Sequence, residues 1–97
     1  MKTEMKTPDD VCSAYADENI QLAVSTRDDG TILVEGDEIA LEFLGHLILR
    51  QARFGKDCGF QIGPKMAGSS FFAKESPFGV YVHRIPCKHS RTAKKQH

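Results

Sequence analysis

An Asp-Gly pair between two β-rich segments is the feature that most restricts how this chain can fold. Residues 20–26 alternate between apolar and polar side chains, and residues 31–35 form a second β-rich segment. The sequence Arg-Asp-Asp-Gly at residues 27–30 joins them. An Asp-Gly pair between such segments predicts a β-hairpin with a tight turn. The face of the first strand predicted to be buried carries Ile20, Leu22 and Val24.

Two helices are predicted from their caps and their apolar spacing. Thr7 is the expected cap of a short N-terminal helix that begins at Pro8, a residue suited to the first helical position. Asp37 is the expected cap of a longer helix over residues 38–53. Apolar side chains cover more than half of the circumference of this main helix, and Leu49 lies outside that arc. The excess predicts a second covering, by the N-terminal helix, a long loop or another subunit.

Three further β segments complete the predicted architecture. Residues 58–63 and 78–85 are predicted strands, and residues 71–73 are a candidate short strand. The fold class predicted from this order is α+β, with a short N-terminal helix, a β-hairpin and a main helix packed on a small antiparallel sheet of four or five strands. Residues 1–87 are predicted to form a single α+β domain, and residues 88–97 a basic disordered tail.

Composition limits the classes of protein that this chain can belong to. The 97 residues are 40% hydrophobic and 27% charged, which is ordinary for a globular domain and unlike a fibrous or disordered chain. No apolar run is long enough to span a membrane, and no apolar leader follows the first lysines. We therefore expect a cytoplasmic protein with reduced thiols at its three cysteines. A Cys58–Cys87 bridge stays open as an alternative.

The zero net charge conceals a difference between the two halves of the chain. Residues 1–49 hold three Lys or Arg and eleven Asp or Glu, whereas residues 50–97 hold ten and two. Such asymmetry is typical of proteins that bind a charged partner, although the two halves can also neutralise each other in the fold. An acidic first half would suit a basic protein partner, because complementary charge accelerates association.

No motif for catalysis, metal binding or a cofactor is predicted. The glycine-rich segment at residues 63–70 lacks the lysine and following helix of a phosphate-binding P-loop. His83, Cys87 and His89 do not have a standard zinc spacing. Cys58 alternates with Phe60 and is expected to pack in the core rather than act as a nucleophile. His46 is expected to be a solvated neighbour of Glu42.

The segment from Gly63 to Gly79 is the predicted functional surface. It is long for a connection in a compact domain, and long loops are usually functional or disordered. If Phe71 and Phe72 belong to a strand, they point to opposite faces, so that one ring needs a ligand, a partner or a second subunit. The candidate binding residues are Lys65, Ser69, Ser70, Phe71, Phe72 and Lys74.

Residues 31–62 resemble a family of small bacterial toxin-immunity proteins. The matching pattern is a strand, then Gly36-Asp37, then a helix with Leu41, Leu44 and Leu47-Ile48-Leu49, then a short strand. The family carries a histidine-rich strand after this helix, where this chain has residues 58–61, Cys-Gly-Phe-Gln, so no role of those histidines carries over. The resemblance implies a cytosolic, non-enzymatic protein that binds and blocks a toxin.

The sequence therefore leaves two alternative functions. The first is a non-enzymatic binding protein of the immunity type, which occludes a protein partner such as a toxin. The alternative is a small-ligand or nucleotide-sequestering protein that uses the Gly63–Gly79 loop to bind a small anionic ligand. Either protein is expected to be a homo-oligomer, because the apolar arc of the main helix exceeds what one sheet face covers, and to have no contact with a membrane.

Overall fold

The computed structural model describes residues 5–54 and 58–86. Within these ranges the chain forms two helices, four strands and one 3-10 turn. The predicted tail, residues 88–97, lies outside the described residues. In chain order the elements are α1 (Pro8–Ala14), β1 (Ala23–Thr26), β2 (Ile32–Glu35), α2 (Glu38–Arg53), β3 (Gly59–Ile62), the 3-10 turn (Ser69–Phe71) and β4 (Val80–His83).

Both helices begin where their capping residues predict. The Thr7 hydroxyl accepts a hydrogen bond from the Asp10 N–H at 3.1 Å, and the Asp10 carboxylate accepts one from the Thr7 N–H at 3.2 Å. This reciprocal pair is a capping box, which satisfies amide groups that the first helical turn leaves unbonded. The Asp37 carboxylate accepts from the Ala40 N–H at 2.9 Å, and α2 covers residues 38–53 as predicted.

The predicted hairpin is confirmed. Strands β1 and β2 are antiparallel, with Val24 opposite Val34, and Gly30 has a φ of 90° in the turn between them. Positive φ is strained for residues with a side chain, so glycine at this position favours the turn. Strands β3 and β4 form a second antiparallel pair, in which Ile62 lies opposite Val80. The last two strands are each four residues long, shorter than predicted.

The α+β class is confirmed, but the single sheet of four or five strands is wrong. The structure has two separate two-stranded sheets, and isolated bridges pair Leu22 with Phe72 and Val24 with Phe78. Residues 71–73 do not form the short strand that was expected, because a 3-10 turn ends at Phe71. Since the chain turns again near Ser76, it pairs with Leu22 and Val24 at single positions and does not continue beside them as a strand.

The core lies between the two helices and the strands. The predicted inward face of the first strand is confirmed, because Ile20, Leu22 and Val24 are buried. Helix α1 packs against one flank of α2, where the rings of Tyr15 and Phe43 lie 5.5 Å apart. The buried cluster is formed by Val11, Tyr15, Ile20, Leu22, Val24, Ala40, Phe43, Leu44, Leu47, Ile62, Phe71 and Phe72.

The second covering expected for α2 is present on one flank only. Around the side that α1 covers, Arg50 donates to the Met5 carbonyl oxygen at 3.3 Å. On the other flank, Leu41 and Ile48 are 46% and 42% exposed. Leu49, which lies outside the predicted arc, is 41% exposed. The apolar surface that exceeds the needs of this subunit is therefore concentrated on the flank away from α1.

Two contacts fasten the carboxyl end of α2 to the end of the second sheet. The Arg84 guanidinium donates to the carbonyl oxygen of Gln51 at 3.1 Å and to that of Phe54. The Arg84 N–H donates to the carbonyl oxygen of Cys58 at 2.6 Å. Since the last carbonyl groups of a helix have no partner within it, a cation at this position is favourable.

The prediction of reduced thiols is wrong for Cys58, which is disulfide-bonded. Cys12 is a free, half-buried thiol. The alternative Cys58–Cys87 bridge involves Cys87, which lies outside the described residues.

Candidate functional site

The two phenylalanines of the predicted loop site are core residues. Phe71 and Phe72 are both buried, and the Phe71 ring stacks on Phe43 with the ring centres 4.3 Å apart. The argument that one of these rings needs an outside partner is therefore wrong. It assumed the two-residue alternation of a strand, whereas Phe71 ends a 3-10 turn and both rings reach the same core.

The rest of the predicted loop is a series of hydrogen-bonded turns. The Gly63 N–H donates to the Ala67 carbonyl oxygen at 3.2 Å, and the Phe71 N–H donates to that of Gly68 at 2.9 Å. Gly68 has a φ of 80°, and a Cβ at this residue would lie 2.8 Å from the Ile62 side chain. The segment between Gly63 and Phe71 is therefore held against β3 rather than free in solvent.

One of the four polar candidates of this segment lines the groove beside α1. Lys65, Ser69, Ser70 and Lys74 are all exposed. Ser70 lines a groove of about 510 Å³ between α1, β3 and the 3-10 turn, and the other three polar candidates do not line it. A shared binding site for these four residues stays a prediction.

The groove beside α1 has an apolar floor and a mixed rim. Phe60, Ile62 and Phe71 contribute apolar surface, while Asp9 brings a carboxylate and Cys12 a thiol. Burial raises the pKa of the Cys12 thiol above its ordinary value, and the nearby Asp9 charge raises it further. A negative charge on this rim disfavours anions, and the raised pKa keeps the thiol protonated at neutral pH.

A second concave surface lies where the two sheets meet, and it carries large apolar side chains. One concavity, of about 420 Å³, is lined by residues of β1, β2 and β4, and an adjoining one, of about 160 Å³, is lined by β3, β4 and Met66. The two share the lining residues 78–81. We call the surface formed by Ile32, Met66, Phe78 and Tyr81 the aromatic groove.

The side chains of the aromatic groove are unusually exposed for their size. Tyr81 is 68% exposed, Ile32 61%, Phe78 50% and Met66 43%. Isolated exposed apolar residues are normal on a protein surface, but a contiguous group in a concavity is typical of a binding site. Aromatic residues and methionine are enriched in protein interfaces.

The backbone beneath the aromatic groove is fixed by hydrogen bonds and by close packing. The Phe78 N–H donates to the Val24 carbonyl oxygen at 3.2 Å, and the Ser76 hydroxyl donates to the Phe78 carbonyl oxygen at 2.8 Å. At Gly79 a Cβ would overlap with the carbonyl oxygen of Ile62, so only glycine allows the two chains to approach so closely. The groove is therefore preorganised, which reduces the entropic cost of binding.

The turn next to the groove carries acidic side chains. Asp28 and Asp29 lie in the exposed turn that connects β1 to Ile32. The Asp29 carboxylate accepts hydrogen bonds from the hydroxyl of Thr31 at 2.7 Å and from its N–H at 3.1 Å. These bonds, with a smaller contribution from Arg27, hold the pKa of Asp29 below its ordinary value, so the carboxylate is charged at neutral pH.

His46 and Cys58, the other titratable candidates, each have a partner in the described part of the chain. His46 lies 3.7 Å from Glu42, as predicted for a neighbour of that carboxylate. Cys58 is disulfide-bonded and is not an available nucleophile. Among residues 5–54 and 58–86 no group of three or more His, Cys, Asp or Glu side chains could hold a metal ion. His89 and Cys87 lie outside these ranges.

The aromatic groove has a sequence signal that was too weak to identify it. Phe78 and Tyr81 occur in one predicted strand beside Gly79, and an aromatic pair around a glycine can mark a close backbone approach. The concavity also needs Ile32, which lies in the first hairpin. No local pattern shows that these residues meet.

No helix in the described ranges is both long enough and apolar enough to cross a bilayer.

Comparison with other proteins does not assign this chain to a family. No model of a known protein family matches the chain, and no curated protein or solved structure matches it either.

Proposed function

We propose that this chain is a non-enzymatic binding protein that occludes a protein partner, such as a toxin, with its aromatic groove. The observation that carries the proposal is the clustering of Phe78, Tyr81, Ile32 and Met66 along two adjoining concavities. Aromatic side chains presented on a fixed backbone supply much of the energy of protein interfaces. The acidic turn at Asp28 and Asp29 favours a partner with a basic rim around its apolar contact.

Site-specific photocrosslinking in the native host cell tests this proposal. A photoreactive side chain at position 81 should capture the partner, and the same group at Ile39, which is also exposed and apolar, should not. The captured protein is then purified and its binding measured by calorimetry. Phe78→Ala should weaken binding by about 2 kcal/mol or more while the chain stays folded. Equal capture at positions 81 and 39 would count against the groove.

The inhibitory role needs a separate measurement. If the partner is a toxin, the wild-type chain should suppress its activity at stoichiometric concentration, and Phe78→Ala should suppress it only at much higher concentration. A partner that binds at the groove but keeps full activity would show a binding module that is not an inhibitor.

The second candidate function is binding of a small ligand beside α1. The groove of about 510 Å³ favours it, since the 3-10 turn and Ser70 line its wall. Because Asp9 lies on the rim, the ligand that fits is apolar with a neutral or cationic group, not the anion predicted from the loop. Native mass spectrometry of the protein purified from its host would show such a ligand as added mass, and Asp9→Asn should weaken its retention.

We propose the cytoplasm as the compartment of this protein, and the oxidation state of Cys58 in the cell tests that proposal. A disulfide at Cys58 is more typical of oxidising compartments than of the cytoplasm. Thiol trapping of the protein in intact cells, combined with fractionation, tests the proposal. Recovery of a reduced Cys58 in the cytosolic fraction would support it.

We also propose that the protein is a homo-oligomer. The support is the exposed apolar flank of α2, which includes Leu41 and Ile48. Sedimentation analysis across a concentration series tests it, and a monomer at every concentration would contradict it.

A further inference from the structure

The exposed flank of α2 carries a regular apolar stripe. Leu41, Gly45, Ile48 and Ala52 are spaced by four, three and four residues, the spacing that places side chains along one seam of a paired helix. We call these four residues the α2 seam. All four are exposed, and a Cβ at Gly45 would have nothing within 4 Å. Tyr15, which follows α1, lies on the other side of α2 near Phe43 and His46, the side on which α1 packs.

We propose that the α2 seam pairs with the α2 seam of a second copy, with the two helices antiparallel about a two-fold axis. This inference rests on the homo-oligomer proposed above and names its interface. A two-fold interface uses the same patch on both copies, so the patch must complement itself. The α2 seam meets this requirement in both shape and charge.

Shape complementarity follows from the order of large and small residues. When the axis passes midway between Gly45 and Ile48, each Ile48 faces Gly45 of the second copy, and each Leu41 faces Ala52. Each large side chain is therefore placed against a small one, the arrangement that fills an interface without voids.

Charge complementarity follows from the direction of the helices. The amino-terminal half of α2 carries Glu38 and Glu42, and its last turn carries Arg50 and Arg53. In an antiparallel pair, Arg53 of each copy lies opposite residues 38–42 of the other. Opposite charges then flank the seam at both ends, and a parallel pair would instead place like charges together.

The α2 seam is separate from the aromatic groove. The groove is lined by β1 to β4 and the turn at Met66, and none of its lining residues comes from α2. The dimer would therefore leave both grooves open, and it would present two binding surfaces to a partner. Loss of the dimer and loss of partner binding can be measured independently.

Sedimentation velocity of the full chain, with two matched variants, tests the interface. Ile48 and Ile39 are 42% and 39% exposed and lie about 180° apart around the same helix. Ile48→Glu should raise the dimer dissociation constant about tenfold or more, because it buries an unpaired charge. Ile39→Glu should leave it unchanged. Equal effects of the two variants would overturn the seam and leave the proposed oligomer standing, whereas a monomeric wild type would overturn both.

Further variants separate loss of the dimer from unfolding of the subunit, and they test whether the two helices are antiparallel. Gly45→Leu introduces a good helix former into open space of the subunit, so the chain should fold and fail to dimerise. Arg53→Glu should weaken the dimer, and Arg53→Glu combined with Glu38→Arg should restore it. A folded Gly45→Leu variant that dimerises normally would overturn the seam, and absence of restoration by the double variant would overturn the antiparallel pairing.

Discussion

The Ser76 hydroxyl accepts a hydrogen bond from the Val24 N–H at 2.9 Å, across 52 residues of sequence. It also donates to the Phe78 carbonyl oxygen at 2.8 Å. Ser76 is only 5% exposed, so water cannot replace these bonds. The buried Ser76 side chain thus takes the place of a backbone–backbone hydrogen bond between the first hairpin and the segment that leads to β4.

Replacement of this hydroxyl should destabilise the fold. Ser76→Ala leaves the buried Val24 N–H without its acceptor, which should lower the free energy of unfolding by about 1–3 kcal/mol. Urea denaturation followed by circular dichroism measures the change. Ser69→Ala, at an exposed hydroxyl, is the control and should change stability little. Equal effects of the two variants would show that the Ser76 bond contributes nothing specific.

Phe71 should be important for stability and Phe78 for binding. Phe71→Ala removes a buried ring that stacks on Phe43, and it should cost about 3–5 kcal/mol of unfolding free energy. Phe78→Ala removes a ring that is 50% exposed and should cost far less. Thermal and urea melts of both variants test this contrast. A stable Phe71→Ala protein would contradict the burial of that ring.

Arg84 should stabilise the carboxyl end of α2. Arg84→Met keeps much of the side-chain volume but removes the donors to the carbonyl groups of Gln51 and Phe54, and we expect a loss of about 1–2 kcal/mol. Lys74→Met, at an exposed cation outside the helix, is the matched control. Amide hydrogen exchange should also accelerate near residues 51–54 in Arg84→Met only, and unchanged exchange there would refute the capping role.

Asp10 should make stability depend on pH in the acid range. Hydrogen bonds from the N–H groups of Lys6 and Thr7 hold the pKa of Asp10 below its ordinary value. Since the folded-state pKa is lower than the unfolded one, the contribution is present above the unfolded pKa and is lost as pH falls through the folded pKa. The stability difference between wild type and Asp10→Asn should therefore shrink as pH drops below about 4. A difference that stays the same across this pH range would contradict the role of Asp10.

The Cys12 thiol should react slowly at neutral pH. Burial, followed by the Asp9 charge, raises its pKa, so the thiolate fraction in the folded protein is small at pH 7. The rate of labelling by a disulfide reagent should rise with pH beyond the range in which an ordinary cysteine levels off. Asp9→Asn should lower the pKa and accelerate labelling, while Asp17→Asn should not. Fast labelling of the wild type at pH 7 would contradict this environment.

The elements that could be predicted from the sequence are those whose signals are local. Asp37 and the apolar spacing after it define α2 to the residue, and the Asp-Gly pair defines the first hairpin. Thr7 and Pro8 likewise mark the start of α1. In each case the contacts that determine the element lie within four residues or across a short turn. They therefore join residues that are close together in the sequence.

The predictions that failed depended on distant contacts. Phe71 and Phe72 looked like strand residues because both are aromatic, but their conformation is set by the turn from Gly68 and by the bridge from Phe72 to Leu22. The aromatic groove needs Ile32 and Tyr81 to meet, although they lie in different hairpins. Hydrophobic periodicity records which face of an element is apolar, and it contains no information on which remote segment will cover that face.

Strand β1 obtains its neighbours at very different times during synthesis. Its pairing with β2 spans about ten residues, so the hairpin can close early on a nascent chain. Its opposite edge is occupied by Phe72, Ser76 and Phe78, which are made near the end of the described chain. A nascent chain that ends before Ser76 therefore carries a hairpin with one unpaired edge. An unpaired edge can form strand pairs with other chains. For this protein, the interval between the synthesis of Val24 and that of Phe78 is the period in which aggregation competes with folding.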